Sequence, residues 1–266
     1  MLSDSELDHA LALAVDLAGL AADTIVRGDP GAVRTKAGPA DLVTDVDLAV
    51  ERAVTTVLHR ELPGHRVQGE ELGASGAAPG APTWYLDPVD GTTNFAAGIP
   101  WASFSLALAD EDGPAVGVVC DPFRGEVWTA TRGGGAHLNG VALAVPAVCA
   151  LAGSVVLTEW SGHQPWPGMN GVLAALSDRA CTVRIMGSSA LSLVMAASGR
   201  CAATIIGSYH HVDDMAGVLV AREAGACVRG RDGSTTPGPD GVLAGAGPVV
   251  DELQKIWEHE RAGPAA

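Results

Sequence analysis

The sequence predicts a protein of mixed helix and strand, in the α+β or α/β class, and three successive patterns indicate it. Two stretches, residues 4–26 and 44–62, carry apolar side chains at helical spacing. Residues 66–131 change to short β-rich runs separated by turn residues. Beyond Asn139 and Gly140, candidate strands alternate with candidate helices. We therefore expect an N-terminal α+β subdomain over residues 1–140 and a C-terminal α/β subdomain over residues 141–266.

Two amphipathic helices are predicted at the start of the chain. Ser3 followed by Glu6 has the form of a capping box, so the first helix is expected over residues 4–26. The second helix is expected to begin at Thr44 and to end before Pro63, with valines and leucines on one face.

The remaining predicted elements are short. Strands are expected at residues 66–69, 84–86, 102–109, 116–120, 126–131, 155–158, 182–185, 202–206 and 227–229. Helices are expected at residues 188–198 and 213–224. Because several predicted strands follow one another in the first half, we expect a sheet backed by the first two helices.

Composition excludes several classes of protein. The formal charge of -15 leaves no basic stripe for nucleic acid or for an anionic membrane. Acidic residues near the N-terminus argue against a signal peptide, and no stretch is expected to span a membrane. The cysteines are odd in number and lack a CxxC spacing, so we expect buried thiols in a reducing cytoplasm. They are Cys120, Cys149, Cys181, Cys201 and Cys227.

The strongest chemical signal is the run 87–93, which reads Asp-Pro-Val-Asp-Gly-Thr-Thr. It follows an apolar stretch, and it therefore presents Asp87 and Asp90 rigidly at the end of a strand. The glycine and two hydroxyl residues that come next leave backbone N–H groups available to an anion. This combination suits divalent metal ions that hold a phosphate.

Further carboxylates occur at the ends of other predicted elements. Glu70 and Glu71 end a strand, and Asp213 opens a helix. If Glu70, Asp87, Asp90 and Asp213 line one cavity, a bound phosphate monoester adds about two negative charges to theirs. Up to three Mg²⁺ ions would balance that charge. Each feature alone has a simpler interpretation, as a turn, a solvated surface pair or a helix cap.

Five segments together resemble the inositol monophosphatase family, in order, at compatible spacing and over nearly the whole chain. They are 41–47 (Asp-Leu-Val-Thr-Asp-Val-Asp), 67–71 (Val-Gln-Gly-Glu-Glu), 87–95 (Asp-Pro-Val-Asp-Gly-Thr-Thr-Asn-Phe), and 213–217 (Asp-Asp-Met-Ala-Gly) with 222–225 (Arg-Glu-Ala-Gly). The resemblance implies a layered αβαβα fold and a magnesium-dependent, lithium-sensitive phosphomonoesterase that forms a homodimer.

The resemblance also implies roles for individual residues. The implied metal ligands are Glu70, Asp87, the backbone carbonyl of Val89, Asp90 and Asp213. Glu70, Thr92 and Asp47 would orient and deprotonate the attacking water, and the N–H groups of Gly91 and Thr92 would bind the phosphate. Gly187, Ser188 and Ser189 match the segment beside the substrate, although either serine is an equally good helix N-cap.

Two further residues, Asp47 and Lys36, are candidates for a role at the site. Asp47 lies three residues after Thr44, where an acid also caps the second helix, and the two roles are compatible. Lys36 lies in the polar, glycine-bearing segment 28–39, which is expected to be a mobile hairpin or loop, and it is a candidate lid residue.

The chain departs from the family pattern near the substrate. Val212 stands where tryptophan is usual, and Asp214 is the alternative to Asp213 as metal ligand. Ile206 stands where inositol-specific members generally carry a glutamate, and an alkyl side chain accepts no hydrogen bond from a substrate hydroxyl. Trp160 or Trp166 either stacks on a leaving group or packs within its loop, and His163 has no predicted partner.

We therefore expect a cytoplasmic, magnesium-dependent phosphatase of a small phosphorylated metabolite. Inositol 1-phosphate is the first candidate substrate. Histidinol phosphate, a nucleotide or 3'-phosphoadenosine phosphate, and fructose 1,6-bisphosphate are the alternatives. A non-catalytic regulatory protein that binds metal or a phosphorylated ligand is the alternative of another class.

Overall fold

The computed structural model describes residues 2–36, 38–148, 150–162 and 164–261. Its helices are α1 (Asp4–Arg27), α2 (Asp45–Glu61), α3 (Thr92–Ala96), α4 (Met169–Ser177), α5 (Ser189–Ala197), α6 (His211–Glu223) and α7 (Gly247–Arg261). Its strands are β1 (Arg34–Thr35), β2 (Leu42–Val43), β3 (Arg66–Gly69), β4 (Ala74–Gly76), β5 (Thr83–Asp90), β6 (Ser103–Asp110), β7 (Gly113–Asp121), β8 (Glu126–Thr131), β9 (Gly135–Leu138), β10 (Val141–Leu143), β11 (Val155–Glu159), β12 (Thr182–Ile185), β13 (Ala203–Ile206), β14 (Cys227–Gly230) and β15 (Val242–Gly245).

The strands form two large sheets and a small hairpin. The first sheet has eight strands in the order β10-β9-β8-β7-β6-β5-β3-β4, and all of its pairs are antiparallel except β3 with β5. The second has five strands in the order β12-β11-β13-β15-β14, with β11 parallel to both of its neighbours. Strands β1 and β2 form the separate hairpin.

Helices cover the sheets in layers. Helices α1 and α2 pack on one face of the first sheet, as expected, and α5 and α6 contact both the first and the second sheet. Helices α4 and α7 pack together and against the second sheet. The order of layers is therefore α, β, α, β, α, which confirms the architecture that the resemblance implied.

The predicted helix starts are confirmed at both N-terminal helices. Ser3 and Glu6 form the capping box of α1, and Thr44 caps α2 with Asp47 as its reciprocal partner. Helix α6 begins at His211, two residues before the expected start, so Asp213 lies within its first turn. The expectation that Asp213 opens the helix is therefore wrong by two residues.

The boundary expected near residue 140 falls within the β9–β10 hairpin. Strand β10 pairs with β9, so residues 141–143 belong to the first sheet. The division into two subdomains stays a prediction.

Helix α1 corrects the expectation that no stretch has the length and hydropathy of a membrane span. By those two criteria it is a candidate span. Its buried residues, among them Leu7, Ala14, Leu17 and Ile25, repeat at helical spacing and belong to the core cluster beneath the first sheet. This packing is that of a core helix in a folded protein.

The thiol prediction holds for the cysteines that are described. Cys120, Cys181, Cys201 and Cys227 are free, and Cys120 and Cys201 are buried. Cys181 and Cys227 are partly exposed, so the expectation of burial is wrong for those two. Cys149 lies outside the described residues.

Candidate active site

A β-bulge brings the two aspartates of the 87–93 run to one side of the sheet. Asp87 pairs with Ser105 and Asp90 pairs with Ser103, so three steps along β5 match two along β6. Residues three apart on a regular strand point to opposite faces. The extra residue in β5 reverses that alternation and lets both carboxylates face the same space.

Asp87 lies at the centre of a group of carboxylates. It is 3% exposed, and its Oδ1 accepts a hydrogen bond from the Val89 N–H at 2.9 Å. Burial raises the pKa of Asp87 well above its usual range, and the charges of Glu70, Asp213 and Asp90 raise it further. Glu70, Asp87, Asp90 and Asp213, hereafter the acid group, are therefore close enough for the charges of the other three to act on Asp87, and their role as metal ligands stays a prediction.

Asp90 is held by the N-terminus of α5. Its Oδ2 accepts hydrogen bonds from the Ser188 hydroxyl at 2.6 Å and from the Ala190 N–H at 2.8 Å. The Ser189 N–H donates to Oδ1 at 3.3 Å. Burial raises the pKa of Asp90 to about 6, although these hydrogen bonds oppose the shift. Because the Ser188 hydroxyl contacts Asp90 and caps α5, direct substrate contact by Ser188 stays a prediction.

Thr92 joins Asp47 to the same site. The Thr92 hydroxyl lies 3.0 Å from Asp47 Oδ1 and 2.9 Å from the Val89 carbonyl, and it can donate to either. Asp47 is fully buried and also accepts hydrogen bonds from the N–H and the hydroxyl of Thr44. Burial raises the pKa of Asp47. One carboxylate thus caps α2 and contacts Thr92.

Gly91 and Gly187 meet across the site. Gly91 is in the left-handed region with φ of 97°, and a Cβ there would lie 2.9 Å from the Gly187 carbonyl oxygen. Asn94 strengthens the contact, since its Nδ2 donates to the Met186 carbonyl at 2.7 Å. The structure therefore brings the predicted phosphate turn beside the predicted substrate segment.

Lys36 contacts the acid group from the β1–β2 hairpin. Its Nζ lies 2.7 Å from Glu70 Oε1 and 2.8 Å from Glu71 Oε1. Burial opposes the charge of the ammonium, but hydrogen bonds and charges from both glutamates outweigh it and raise the pKa of Lys36. The hairpin prediction is confirmed, and the lid role stays a prediction.

The two adjacent aspartates of α6 have different surroundings. Burial raises the pKa of Asp213 well above its usual range, followed by the charges of Asp214, Asp90 and Glu70. Asp214 is 1% exposed, and its Oδ2 accepts the His210 N–H at 2.8 Å. Asp214 is thus tied to the start of its own helix, which favours Asp213 as the member of the acid group.

Ile206 is a buried core residue beside a carboxyl group that sequence reasoning missed. Ile206 is 3% exposed and pairs in register with Glu159 of β11. Glu159 accepts hydrogen bonds from the Gly187 N–H and the Ser192 hydroxyl, both at 2.6 Å. Burial raises the pKa of Glu159 to about 8. Contact between Ile206 and a substrate stays a prediction.

The two tryptophans of the 160–166 segment differ in burial. Trp166 is 2% exposed, packs on Trp257 with ring centroids 5.9 Å apart, and donates to the Thr158 hydroxyl at 3.3 Å. Trp160 is 54% exposed. Packing therefore accounts for Trp166, whereas stacking on a leaving group stays open for Trp160. His163 lies outside the described residues.

The chemistry of the acid group fits magnesium. No three or more His, Cys, Asp or Glu side chains in the described ranges form a group that could hold a metal ion as placed. Mg²⁺ keeps several waters and is usually bound by one or two carboxylates together with substrate phosphate, so such a cluster is not required. The acid group offers only oxygen donors. Burial first and the neighbouring negative charges second raise the pKa of Asp87 and Asp213, and a bound cation would offset both effects.

Comparison with known sequences decides the family. The sequence model of the inositol monophosphatase family matches residues 4–261. The chain belongs to the inositol monophosphatase family.

The relatives of this family member are named either Nus factor SuhB or inositol monophosphatase. The chain is 36% identical over 222 residues to the Nus factor SuhB of Haemophilus influenzae, and the match covers 82% of this chain and 83% of that protein. The chain is 33% identical over 236 residues to an inositol monophosphatase of Mesembryanthemum crystallinum, and the match covers 86% of this chain and 87% of that protein. The solved structure of an IMPase from Thermotoga maritima superposes with a TM-score of 0.86 at 25% sequence identity, and the match covers 95% of this chain and 98% of that chain.

Proposed function

We propose that this family member is a magnesium-dependent phosphatase of a small phosphomonoester, with inositol 1-phosphate as the first candidate. The single observation that carries the proposal is the position of the Thr92 hydroxyl, which lies 3.0 Å from Asp47 Oδ1 and 2.9 Å from the carbonyl of Val89, the residue before Asp90. Histidinol phosphate, a nucleotide or 3'-phosphoadenosine phosphate, and fructose 1,6-bisphosphate remain the alternative substrates, because Ile206 offers no hydrogen bond to a polyol.

Glu70, Asp87, the Val89 carbonyl, Asp90 and Asp213 would hold up to three Mg²⁺ ions. When bound, magnesium lowers the pKa of water and neutralises charge on the phosphate. The N–H groups of Gly91 and Thr92 bind the phosphate oxygens. Gly187 and Ser189 lie on the substrate side, next to the turn that carries the Gly91 and Thr92 N–H groups.

Thr92 orients the attacking water. When its hydroxyl donates to Asp47, an oxygen lone pair remains to accept a hydrogen bond from the water. Glu70, or Asp47 through Thr92, accepts the proton as the water attacks phosphorus. The bond from phosphorus to the ester oxygen then breaks, and the leaving alcohol takes a proton from solvent. No residue becomes phosphorylated.

A phosphate-release screen tests the proposal. Inositol, sugar, nucleotide and histidinol phosphates are assayed with Mg²⁺, with and without lithium. We expect release that requires Mg²⁺ and is inhibited by lithium. Absence of release from every substrate across the pH range would contradict the enzyme proposal.

A second candidate function is that of a regulatory partner, because the relative at 36% identity is named a Nus factor. Retention of Glu70, Asp87, Asp90, Thr92 and Asp213 favours the enzyme. A regulatory protein without turnover predicts Mg²⁺ binding with no phosphate release. For either function we propose a cytoplasmic homodimer, and sedimentation equilibrium measures the oligomeric state.

A further inference from the structure

Helix α2 carries a second buried carboxylate one turn after Asp47. Glu51 is 1% exposed, and its two oxygens accept hydrogen bonds from successive backbone N–H groups. The Glu71 N–H donates to Oε2 at 2.8 Å, and the Leu72 N–H donates to Oε1 at 2.8 Å. A buried carboxylate is stable only with such partners, so the turn and the helix depend on each other.

The backbone of this turn is anchored on two sides. The Glu70 N–H donates to the Leu86 carbonyl of β5 at 3.0 Å, next to Asp87. The next two N–H groups, those of Glu71 and Leu72, donate to the Glu51 carboxylate. Strand β5 and helix α2 therefore fix the backbone on either side of the Glu70 Cα, which sets the direction in which its side chain leaves.

Gly69 permits the close approach. A Cβ at residue 69 would lie 1.8 Å from Glu51 Oε1 and 2.5 Å from the carboxyl carbon. Any side chain there would push the Glu51 carboxylate off the turn. The glycine is thus required by the position of Glu51, since strand β3 is otherwise regular up to this residue.

We propose that Glu51 is a positioning residue for the magnesium site, holding Glu70 in register with the Thr92–Asp47 pair. Asp47 and Glu51 lie four residues apart on one face of α2, so a single rigid helix sets the spacing of both contacts. This inference rests on the proposed function. A residue with only a structural role would lower the melting temperature and leave metal affinity unchanged.

The test measures Mg²⁺ binding without substrate, by calorimetry, alongside the Mg²⁺ dependence of phosphate release. The variant is Glu51→Gln, which keeps the shape and removes the charge. The control is Glu61→Gln, at the exposed end of the same helix, where the side chain pairs with Arg60. We expect the dissociation constant for Mg²⁺ to rise about 10- to 100-fold in Glu51→Gln and to stay at the wild-type value in the control.

Gly69→Ala provides an independent route to the same result. It keeps the carboxylate but displaces it, so Mg²⁺ affinity falls, and adding it to Glu51→Ala causes no further loss. Gly69→Ala alone keeps the proposal testable if the Glu51 variants do not fold, and wild-type Mg²⁺ affinity in folded Gly69→Ala would then overturn the inference. Wild-type Mg²⁺ affinity in folded Glu51→Gln would overturn this inference and leave the proposed function standing. The same holds if the losses of Mg²⁺ affinity caused by Gly69→Ala and Glu51→Ala add up in the double variant. Failure of the wild type to bind Mg²⁺ or release phosphate overturns the proposed function as well.

Discussion

The Thr92 hydroxyl lies 3.0 Å from the buried carboxylate of Asp47, although 45 residues separate them in the chain. Asp47 is held in place by Thr44 at the start of α2, and Thr92 begins α3. The contact therefore joins two helix starts. It leaves the threonine oxygen with a lone pair for water, which is why Thr92 is assigned the orienting role.

Thr92→Ala is expected to lower kcat by about 100-fold or more, the usual contribution of a proton-transfer group. Thr92→Ser keeps the hydroxyl and is expected to recover most of that activity. Thr56→Ala, which removes an exposed hydroxyl from α2, is the control. Steady-state phosphate release measures all three. Equal kcat for the alanine and serine variants would contradict the role of the hydroxyl.

The Lys36 ammonium lies 2.7 Å from the Glu70 carboxylate, so we expect Lys36 and Mg²⁺ to compete for Glu70. Lys36→Gln is therefore expected to lower the Mg²⁺ concentration needed for half-maximal activity. Lys255→Gln, an exposed change on α7, is the control. A Mg²⁺ titration of phosphate release compares them. A higher Mg²⁺ requirement in Lys36→Gln would instead mean that the lysine assists metal binding.

The raised pKa of Glu159 makes stability fall as the pH rises, the opposite of the effect of a carboxylate whose pKa is lowered by folding. Its pKa is raised by burial from 4.5 to about 8, so the folded protein keeps a proton that the unfolded chain loses. This contribution to stability is complete below about pH 4.5 and is lost as the pH rises to about 8.

Glu159→Gln resembles the protonated form, and its melting temperature is expected to exceed that of the wild type increasingly from about pH 5 to pH 8. Thermal unfolding in the presence of a chelator measures the difference. A constant difference across this range would show that Glu159 is ionised in the folded protein.

Ile206→Glu is expected to shift substrate preference toward inositol 1-phosphate and to lower the melting temperature. The new carboxylate would be buried beside Glu159, its partner in the neighbouring strand. Ile206→Gln supplies a hydrogen-bond acceptor without the charge and serves as the comparison. Ratios of kcat/KM across the substrate panel measure the shift. An unchanged ratio in both variants would remove Ile206 from the specificity site.

The sequence predicted the acid group because strand ends and helix starts place side chains by local rules. It did not predict the bulge between Asp87 and Asp90, which depends on pairing with β6. Glu51 and Glu159 were missed for a similar reason. Neither lies in a recognisable motif at a strand end or helix start, and only the folded chain brings the Glu71 amide to Glu51 and the Gly187 amide to Glu159.

Some elements were missed because their local signals are weak. Helix α4 follows Gly168 without a side-chain cap, and β15 is only four residues long. Helix α6 starts before Asp213 without a side-chain cap at His210, so the aspartate was the nearest visible signal. Tertiary packing overrides weak local propensity in these elements.

The most direct test of the account is Mg²⁺-dependent phosphate release by the wild type and by Asp90→Asn and Asp213→Asn. Each variant removes one charge from the acid group, and circular dichroism checks that the fold is retained. We expect release by the wild type and its loss in both folded variants. Wild-type turnover in either folded variant would contradict the assignment of the acid group as the magnesium site.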